Sequence, residues 1–363
     1  MRESLRSARR VVVKVGTTAL TRSDGKLDRS RIDELVGELC EQLEAGREVV
    51  CVTSGAIGAG LEPLGLRRRP KDMPTLQAAA AVGQSHLMDA YNSSFSSRGR
   101  VCAQVLLTRS DFMHRHQYVN ALNTFRRLLA LGAVPVVNEN DTVATDEIRF
   151  GENDLLAALV ANLVQADLLV MLSDVDGLHG RDGAVVPEVT EMTPEIEELA
   201  GGSSSGLGSG GMRSKLDAVR IATASGLPAV IAAFRRGALA RVLAGEAVGT
   251  LFHPGPSRLT SRKAWIGYAT SPKGRVVVDA GARAAIRERN RSLLAAGVKR
   301  VEGSFAPGDA VDIVDEDGRP FARGLVGFSS DELARVAGLD SARVAEIVGD
   351  AREVVHRDEL VVR

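Results

Sequence analysis

The chain has 363 residues, with 46 basic and 46 acidic side chains, 44% hydrophobic, 25% charged and 4% aromatic residues. At about 100–200 residues per domain, that length suggests two or three domains, and the composition excludes a mostly disordered or fibrous chain. A formal net charge of zero argues against a protein built to coat nucleic acid or an anionic membrane.

In chain order, short β-branched runs alternate with longer amphipathic ones over the first 250 or so residues. Val11–Val15, Val49–Thr53, Val101–Leu107, Val134–Val137, Leu168–Leu172 and Ala229–Ala232 read as strands. Continuous apolar runs of this kind suit a parallel sheet buried on both faces. Between the first two lies the clearest helix, with Ile32, Leu35, Val36, Leu39 and Leu43 on one stripe, Ser30 as N-cap and Gly46 past its end. Tyr118–Leu131 and Leu155–Val164 are further helix candidates. After about residue 255 the texture changes to short strands with turn signals, among them Asp317-Gly318. Two helical pieces, Ala282–Arg289 and Ser329–Val336, interrupt them. Strand–helix alternation followed by a β-rich tail predicts an α/β domain with helices on both faces of a mostly parallel sheet, then a small, mostly β domain.

Cys40, Cys51 and Cys102 are too few and too scattered for a disulfide framework or a zinc site, and they suit a reducing compartment. The most apolar stretch, Leu155–Leu172, is broken by Asn162, Gln165 and Asp167, which a bilayer would penalise. Near the N-terminus the apolar run is three valines long before Lys14, too short for a signal peptide. No membrane association and a cytoplasmic location are expected.

Ligands of open α/β sheets bind at the carboxyl ends of the strands. There the sequence places Lys14 and Gly16, then Ser54-Gly55, then Asn138-Glu139-Asn140-Asp141, then Asn153-Asp154 opening a helix, then Ser173-Asp174. A glycine-rich segment, Gly201–Gly211, runs into a helical stripe carrying Met212, Lys215, Leu216 and Val219. Backbone N–H groups at such a helix start can face an anion, although Gly-Ser clusters are more often plain linkers. A lysine inside a buried strand is rarely tolerated without an anionic partner, which singles out Lys14. Only seven of the 46 basic residues are lysine, so lysines at the two phosphate-site candidates suggest a need for a compact point charge. No P-loop, no dinucleotide fingerprint, no metal-ligand spacing and no nucleophile elbow occurs.

Taken together, VVVKVGTTAL, VTSGAIGAG, VPVVNENDTV, FGENDLLAALVA, MLSDVDGLHG and GSGGMRSKLDA resemble the motifs of the amino acid kinase family. Its members phosphorylate carboxylates, carbamate or phosphates with ATP. The motifs are most similar to the branch acting on the side-chain carboxylate of L-glutamate, at the head of proline biosynthesis. GRVVVDAGARAAI and FAPGDAVDIVDEDGRPFARGLVGFSSDE resemble a PUA domain, which sister kinases for acetylglutamate, aspartate or uridylate lack.

The resemblance implies a three-layer αβα sandwich over residues 1–257, a linker over 258–274 and a PUA domain over 275–363. It implies that Lys14 and Lys215 flank the transferred phosphoryl group while Asp154 holds both ammonium groups. Ser54, Asp141 and Asn153 would hold glutamate. Lys14, Gly16, Ser173, Asp174 and the run Ser209, Gly210, Gly211, Met212, Arg213, Ser214, Lys215 would hold ATP. Gly16, Gly55, Gly210 and Gly211 would let backbone N–H groups approach phosphate oxygens. Ser209 and Ser173 replace threonines and keep the hydroxyl. Mg²⁺ would arrive on the nucleotide phosphates, with no protein metal site. L-proline is implied as a feedback inhibitor, with determinants around Asn120–Phe125 and Asp141–Phe150. A homo-oligomer and hand-off of product to glutamyl phosphate reductase are also implied. Two alternatives stay open. An acetylglutamate-type kinase would show a second glycine where Thr17 stands, and an RNA-binding PUA protein would show a basic footprint. Residues 275–363 carry 14 basic and 16 acidic side chains, so RNA binding is not expected; Arg283, Arg287, Arg289 and Arg291 form the one local patch.

Overall fold

The computed structural model describes residues 1–22, 24–143, 152–200, 211–255, 259, 261–268, 270, 272–350 and 352–362. Its contacts divide the chain into two compact units, Met1–Arg258 and Leu259–Arg363.

In the first unit the strands are β1 (Arg10–Val15), β2 (Glu48–Val52), β3 (Cys102–Leu107), β4 (Val134–Glu139), β5 (Leu168–Ser173), β6 (Glu188–Val189), β7 (Ala229–Ala233) and β8 (Thr250–Phe252). They form one sheet in the order β3-β4-β2-β1-β5-β7-β8-β6. All neighbours are parallel except β7 and β8. The six expected strands are present; β6 and β8, at the far edge, were not foreseen. The chain leaves β4 on one side of β1 and returns as β5 on the other. That reversal opens the ligand crevice of such sheets at the carboxyl end of β1.

Side chains alternate across each strand. Val11, Val13 and Val15 enter a core shared with the helices Arg29–Glu44, Met73–Ser96 and Ala238–Leu243. Lys14 therefore lies on the opposite face, against the helix Glu152–Leu163. That helix is apolar and buried without a break from Leu155 to Ala161, nearly two full turns, and only a covered helix can be so. Ile32, Leu35, Val36 and Leu39 are buried as expected, but the N-cap of their helix is Asp28, whose side chain accepts the Ser30 N–H. Ser30 is a first-turn residue because the carboxylate two positions earlier already caps that end.

The long helix Met73–Ser96 has no counterpart in the sequence reading. It packs on the short helix Ala56–Leu61 backbone to backbone, through two glycines. A Cβ on Gly60 would stand 1.9 Å from Ala79 O, and one on Gly83 would stand 1.7 Å from Ala56 O. Neither neighbour is a movable side chain. Gly83→Ala should force the helices apart and cost about 3 kcal/mol or more, at the upper end of overpacking penalties. Thermal unfolding should show a midpoint lowered by roughly 5–10 °C; an unchanged midpoint would mean the two helices are not in contact there.

The second unit holds β9 (Gly274–Val278), β10 (Val298–Gly303), β11 (Ala310–Val314), β12 (Pro320–Leu325) and β13 (Leu360–Val362), ordered β10-β9-β11-β12-β13. Asp317-Gly318 turns β11 into β12, as the sequence suggests. Three details differ from expectation. The stretch 258–274, read as a linker, contains the helix Ser261–Tyr268, which packs on β12 and β13. The helix Ser341–Val348 was not foreseen. Of EVVHRDELVV, only Leu360–Val362 is strand. Arg283 does not simply face solvent: its guanidinium lies 5.8 Å from the Phe321 ring centroid and 3.9 Å from Asp315.

Candidate active site

Lys14 occupies the end of β1, 4% exposed, and Asp154 the first turn of Glu152–Leu163, 0% exposed. Lys215, 9% exposed, comes from the helix Met212–Ala224, which packs along Glu152–Leu163. Lys14 Nζ pairs with Asp154 Oδ1. Lys215 Nζ stands 3.4 Å from Asp154 Oδ2, and Ser214 Oγ donates to the same oxygen at 2.7 Å. Burial alone would raise the Asp154 carboxyl, but Lys14, Lys215 and the hydrogen bonds from Lys14 and Ser214 hold it below the usual carboxylate range. Burial pushes Lys14 below the usual lysine range, against the pull of Asp154 and with the help of Lys215. Two buried ammonium groups thus share one buried carboxylate. Exposed Asp174 reaches Lys14 only at longer range. Such a cluster is short of negative charge, which an anionic ligand would supply.

Several backbone and side-chain groups surround this cluster. Gly211 starts the helix Met212–Ala224 with no side-chain cap, so first-turn N–H groups are available to a phosphate. Gly55 adopts φ +103°, a left-handed conformation that favours glycine, and opens the helix Ala56–Leu61 just after Ser54. The Gly16 N–H, expected to face a phosphate, instead donates to Leu172 O at 3.1 Å, extending the β1–β5 ladder. What its missing side chain leaves open is space beside Lys14: a Cβ there would stand 3.7 Å from Nζ. Ser173, buried at the end of β5, donates to Asp174 Oδ1 at 2.8 Å. Arg213 lies on the outer side of its helix, 3.6 Å from Asp217, while Met212 is half-buried. Ser209, Gly210 and residues 144–150 lie outside the described residues.

On the other flank of β1, Ser54 is buried at the end of β2. Asn153 Oδ1 accepts the Glu139 N–H at 3.1 Å, so what Asn153 can offer a ligand is its Nδ2 donor pair. Asp141 begins a short 3₁₀ turn, Asp141–Val143, that packs on the helix Met73–Ser96. Two residues here, Arg69 and Gln84, escaped the sequence reading, while Asn138 and Glu139 were placed at this strand end without a role. Asn138 is 2% exposed and donates through Nδ2 to Gln84 Oε1 at 2.8 Å; its Oδ1 has no partner among the described residues. Glu139 is buried beside it. Arg69 lies within electrostatic reach of Asp141; burial lowers its guanidinium and the Asp141 carboxylate opposes the shift. The signal for Asn138 and Glu139 was present, since polar residues closing a buried strand need a reason. For Arg69 and Gln84 nothing local marked them.

Residues 9–233 match the amino acid kinase family and residues 274–348 match the PUA domain. The chain is 49% identical to a glutamate 5-kinase of Moorella thermoacetica, over 99% of this chain and 98% of that one. It is 50% identical to a glutamate 5-kinase of Salinispora arenicola, over 100% of both. The chain belongs to the amino acid kinase family, in its glutamate 5-kinase branch. Among solved structures, carbamate kinase from Giardia lamblia bound to AMP-PNP superposes with a TM-score of 0.50 at 18% identity, covering 69% of this chain and all of that one. That likeness concerns the fold of the kinase unit. Among the described residues, no helix is long and apolar enough to cross a membrane.

The depressed Lys14 has a kinetic consequence. A lysine whose charged form is disfavoured loses its proton at lower pH, so kcat/KM for ATP should fall on the alkaline side with an apparent pKa below the usual 10.5. Bound phosphates favour the charged form, so the alkaline limb of kcat should lie higher. In Lys14→Arg, whatever residual rate survives should lose that limb, because arginine does not titrate there. An identical limb in both proteins would assign it to another group.

Proposed function

We propose that the enzyme transfers the γ-phosphoryl group of ATP to the side-chain carboxylate of L-glutamate, giving L-glutamyl 5-phosphate and ADP. The observation that carries this is the Lys14–Asp154–Lys215 cluster, with ammonium groups from two elements converging on one buried carboxylate. A side-chain carboxylate is ionised at pH 7, so the acceptor needs no general base. Phosphoryl transfer then calls for in-line positioning and charge neutralisation. Lys14, from the sheet, and Lys215, from the helix, act on opposite sides of the moving group. Asp154 and Ser214 keep the two ammonium groups from drifting apart. Ser54, Asp141 and Asn153 hold glutamate, with Asp141 suited to its ammonium and the Asn153 amide to a carboxylate. Ser173, Asp174 and the N–H groups after Gly211 hold the nucleotide.

No group of three or more metal-ligating side chains occurs among the described residues, and Asp154 is already engaged by two lysines. These residues fit a Mg²⁺ ion carried in on the nucleotide phosphates, where it would neutralise charge on the β- and γ-oxygens. A coupled assay of ADP release decides the acceptor. Glutamate should support turnover, and acetylglutamate, aspartate and uridylate should not; turnover with acetylglutamate alone would overturn the assignment.

Proline is a cyclised relative of glutamate and competes for the same pocket in this reading. Millimolar proline should raise the apparent glutamate KM and leave kcat at saturating glutamate unchanged. A rate untouched at sub-saturating glutamate would remove proline from the regulation of this enzyme. The product is a mixed anhydride, open to attack by water, which favours passing it directly to the reductase consuming it.

A further inference from the structure

Gln84 sits on the helix Met73–Ser96, directly after Gly83, whose backbone contact with Ala56 fixes its height against the sheet. Its Nε2 donates to Gln104 Oε1 of β3 at 2.9 Å, and its Oε1 accepts Asn138 Nδ2 of β4 at 2.8 Å. The three amides form a relay with one sense. Each carbonyl takes the next N–H, and the last group left over is Asn138 Oδ1, buried and without a partner among the described residues. The same helix touches the end of β2, where the buried Tyr91 hydroxyl meets Thr53 Oγ1 at 2.8 Å, next to Ser54. Val134 and Val136 face this helix in the shared core, so Asn138, two residues further, belongs to the same face. The Asp141–Val143 turn packs on that helix as well.

We propose that Gln84 is a positioning residue for the acceptor substrate. With its own Nε2 turned to Gln104 and its Oε1 holding Asn138 Nδ2, it leaves the Asn138 oxygen as the end offered to a ligand, three residues before Asp141, whose turn packs on the same helix. An amide left to itself can present either end, since its oxygen and nitrogen are close to isosteric. A neutral acceptor suits a free ammonium group with several N–H donors, whereas a rotated Asn138 would present donors to it. The relay therefore deepens the proposed function: it selects an amino acid with an unblocked amine. A buried acceptor without a partner costs free energy, which the substrate ammonium recovers on binding.

The inference rests on glutamate being the substrate, and glutamate-dependent ADP release by the parent enzyme tests that separately. The relay is tested on Gln84→Met, which can neither donate nor accept strongly, and on Gln84→Glu, which can still accept Asn138 Nδ2. Gln84→Met should raise the glutamate KM roughly tenfold, the scale of one hydrogen bond to a charged group, with kcat and the ATP KM near parental values. Gln84→Glu should restore most of the glutamate KM. Gln104→Met, which removes only the outer acceptor, should give a smaller rise and serves if Gln84→Met does not fold. In an Asn138→Asp background, where the side chain presents oxygen in either rotamer, Gln84→Met should lose most of its effect. A folded Gln84→Met enzyme with a parental glutamate KM would overturn the proposal. So would equal changes in the ATP KM and kcat, or a Gln84→Glu variant as impaired as Gln84→Met.

Discussion

Lys215→Ala should lower kcat by roughly 10²–10³-fold, corresponding to ~3–4 kcal/mol of lost transition-state stabilisation, and Lys14→Ala should do the same. The glutamate KM should change little in both. The reasoning is that these ammonium groups meet charge that develops on the phosphoryl oxygens as it transfers, and an interaction made chiefly in the transition state appears in kcat. Arginine should rescue poorly at either position. Its planar fork is wider than an ammonium and cannot enter a pocket where Lys14 is 4% and Lys215 9% exposed. On a solvated helix face Lys215 would be replaceable at no cost. Here its ammonium is turned inward onto Asp154, 61 residues away in sequence. A folded Lys215→Ala enzyme with near-parental kcat would refute the mechanism. The two lysines share one carboxylate, so the double variant should lose less than the product of the single losses.

Lys14 was legible because its neighbours made it conspicuous: a lysine between β-branched residues of a buried strand demands an anion. Asp154 was legible only as a polar residue heading an apolar helix, for which an N-cap is the ordinary explanation. That Lys14, Asp154 and Lys215 meet depends on the chain crossing from β4 to β5 over β1, and no local spacing encodes this. The central strands were readable for the same reason as Lys14, since Val and Ile runs buried on both faces leave a strong signal. β6 and β8, with two and three residues, leave none.

The glycines show how local pattern can mislead. Gly60 lies in a segment, TSGAIGAG, that invites reading as a phosphate loop, yet its hydrogen faces Ala79 O across a helix contact. Only Gly55 in that segment is required by its own backbone angle. Gly83, inside the helix Met73–Ser96, would ordinarily weaken a helix by about 1 kcal/mol relative to alanine. The close approach to Ala56 is what that cost secures. The same helix is rich in alanine, whose side chain marks no face strongly, so its length and its polar contacts with the strands were invisible before the fold was known.

Asp154→Asn is expected to damage stability and rate together, and the pH dependence separates the causes. The parent carboxylate, itself 0% exposed, neutralises two largely buried ammonium groups, so its loss leaves buried charge uncompensated. Breaking such a pair from one side costs about 3–5 kcal/mol, and asparagine keeps the volume, so no cavity term is added. The folded-state pKa of Asp154 is depressed. Its stabilising contribution is therefore fully present above the unfolded value near 4 and is lost only as pH falls through the folded value. At pH 7 the whole contribution is in force, and the stability gap between parent and variant should be full. Lys14 acts in the same sense, over the higher pH range in which a lysine titrates. Its folded pKa is also depressed, so between the folded and unfolded values the unfolded chain binds more protons and stability rises with pH. Without Asp154 to oppose it, that depression should deepen, and the stability gap should narrow as pH is raised from 7 toward 9. The rate should not recover over the same interval, because an unprotonated Lys14 relieves the fold but no longer neutralises the phosphoryl group. Denaturant melts and kcat measured across pH 6–9 on the same preparations would test this. A variant of parental stability at pH 7, or one whose rate rises with its stability toward pH 9, would show that Asp154 does not hold the two lysines in their charged forms.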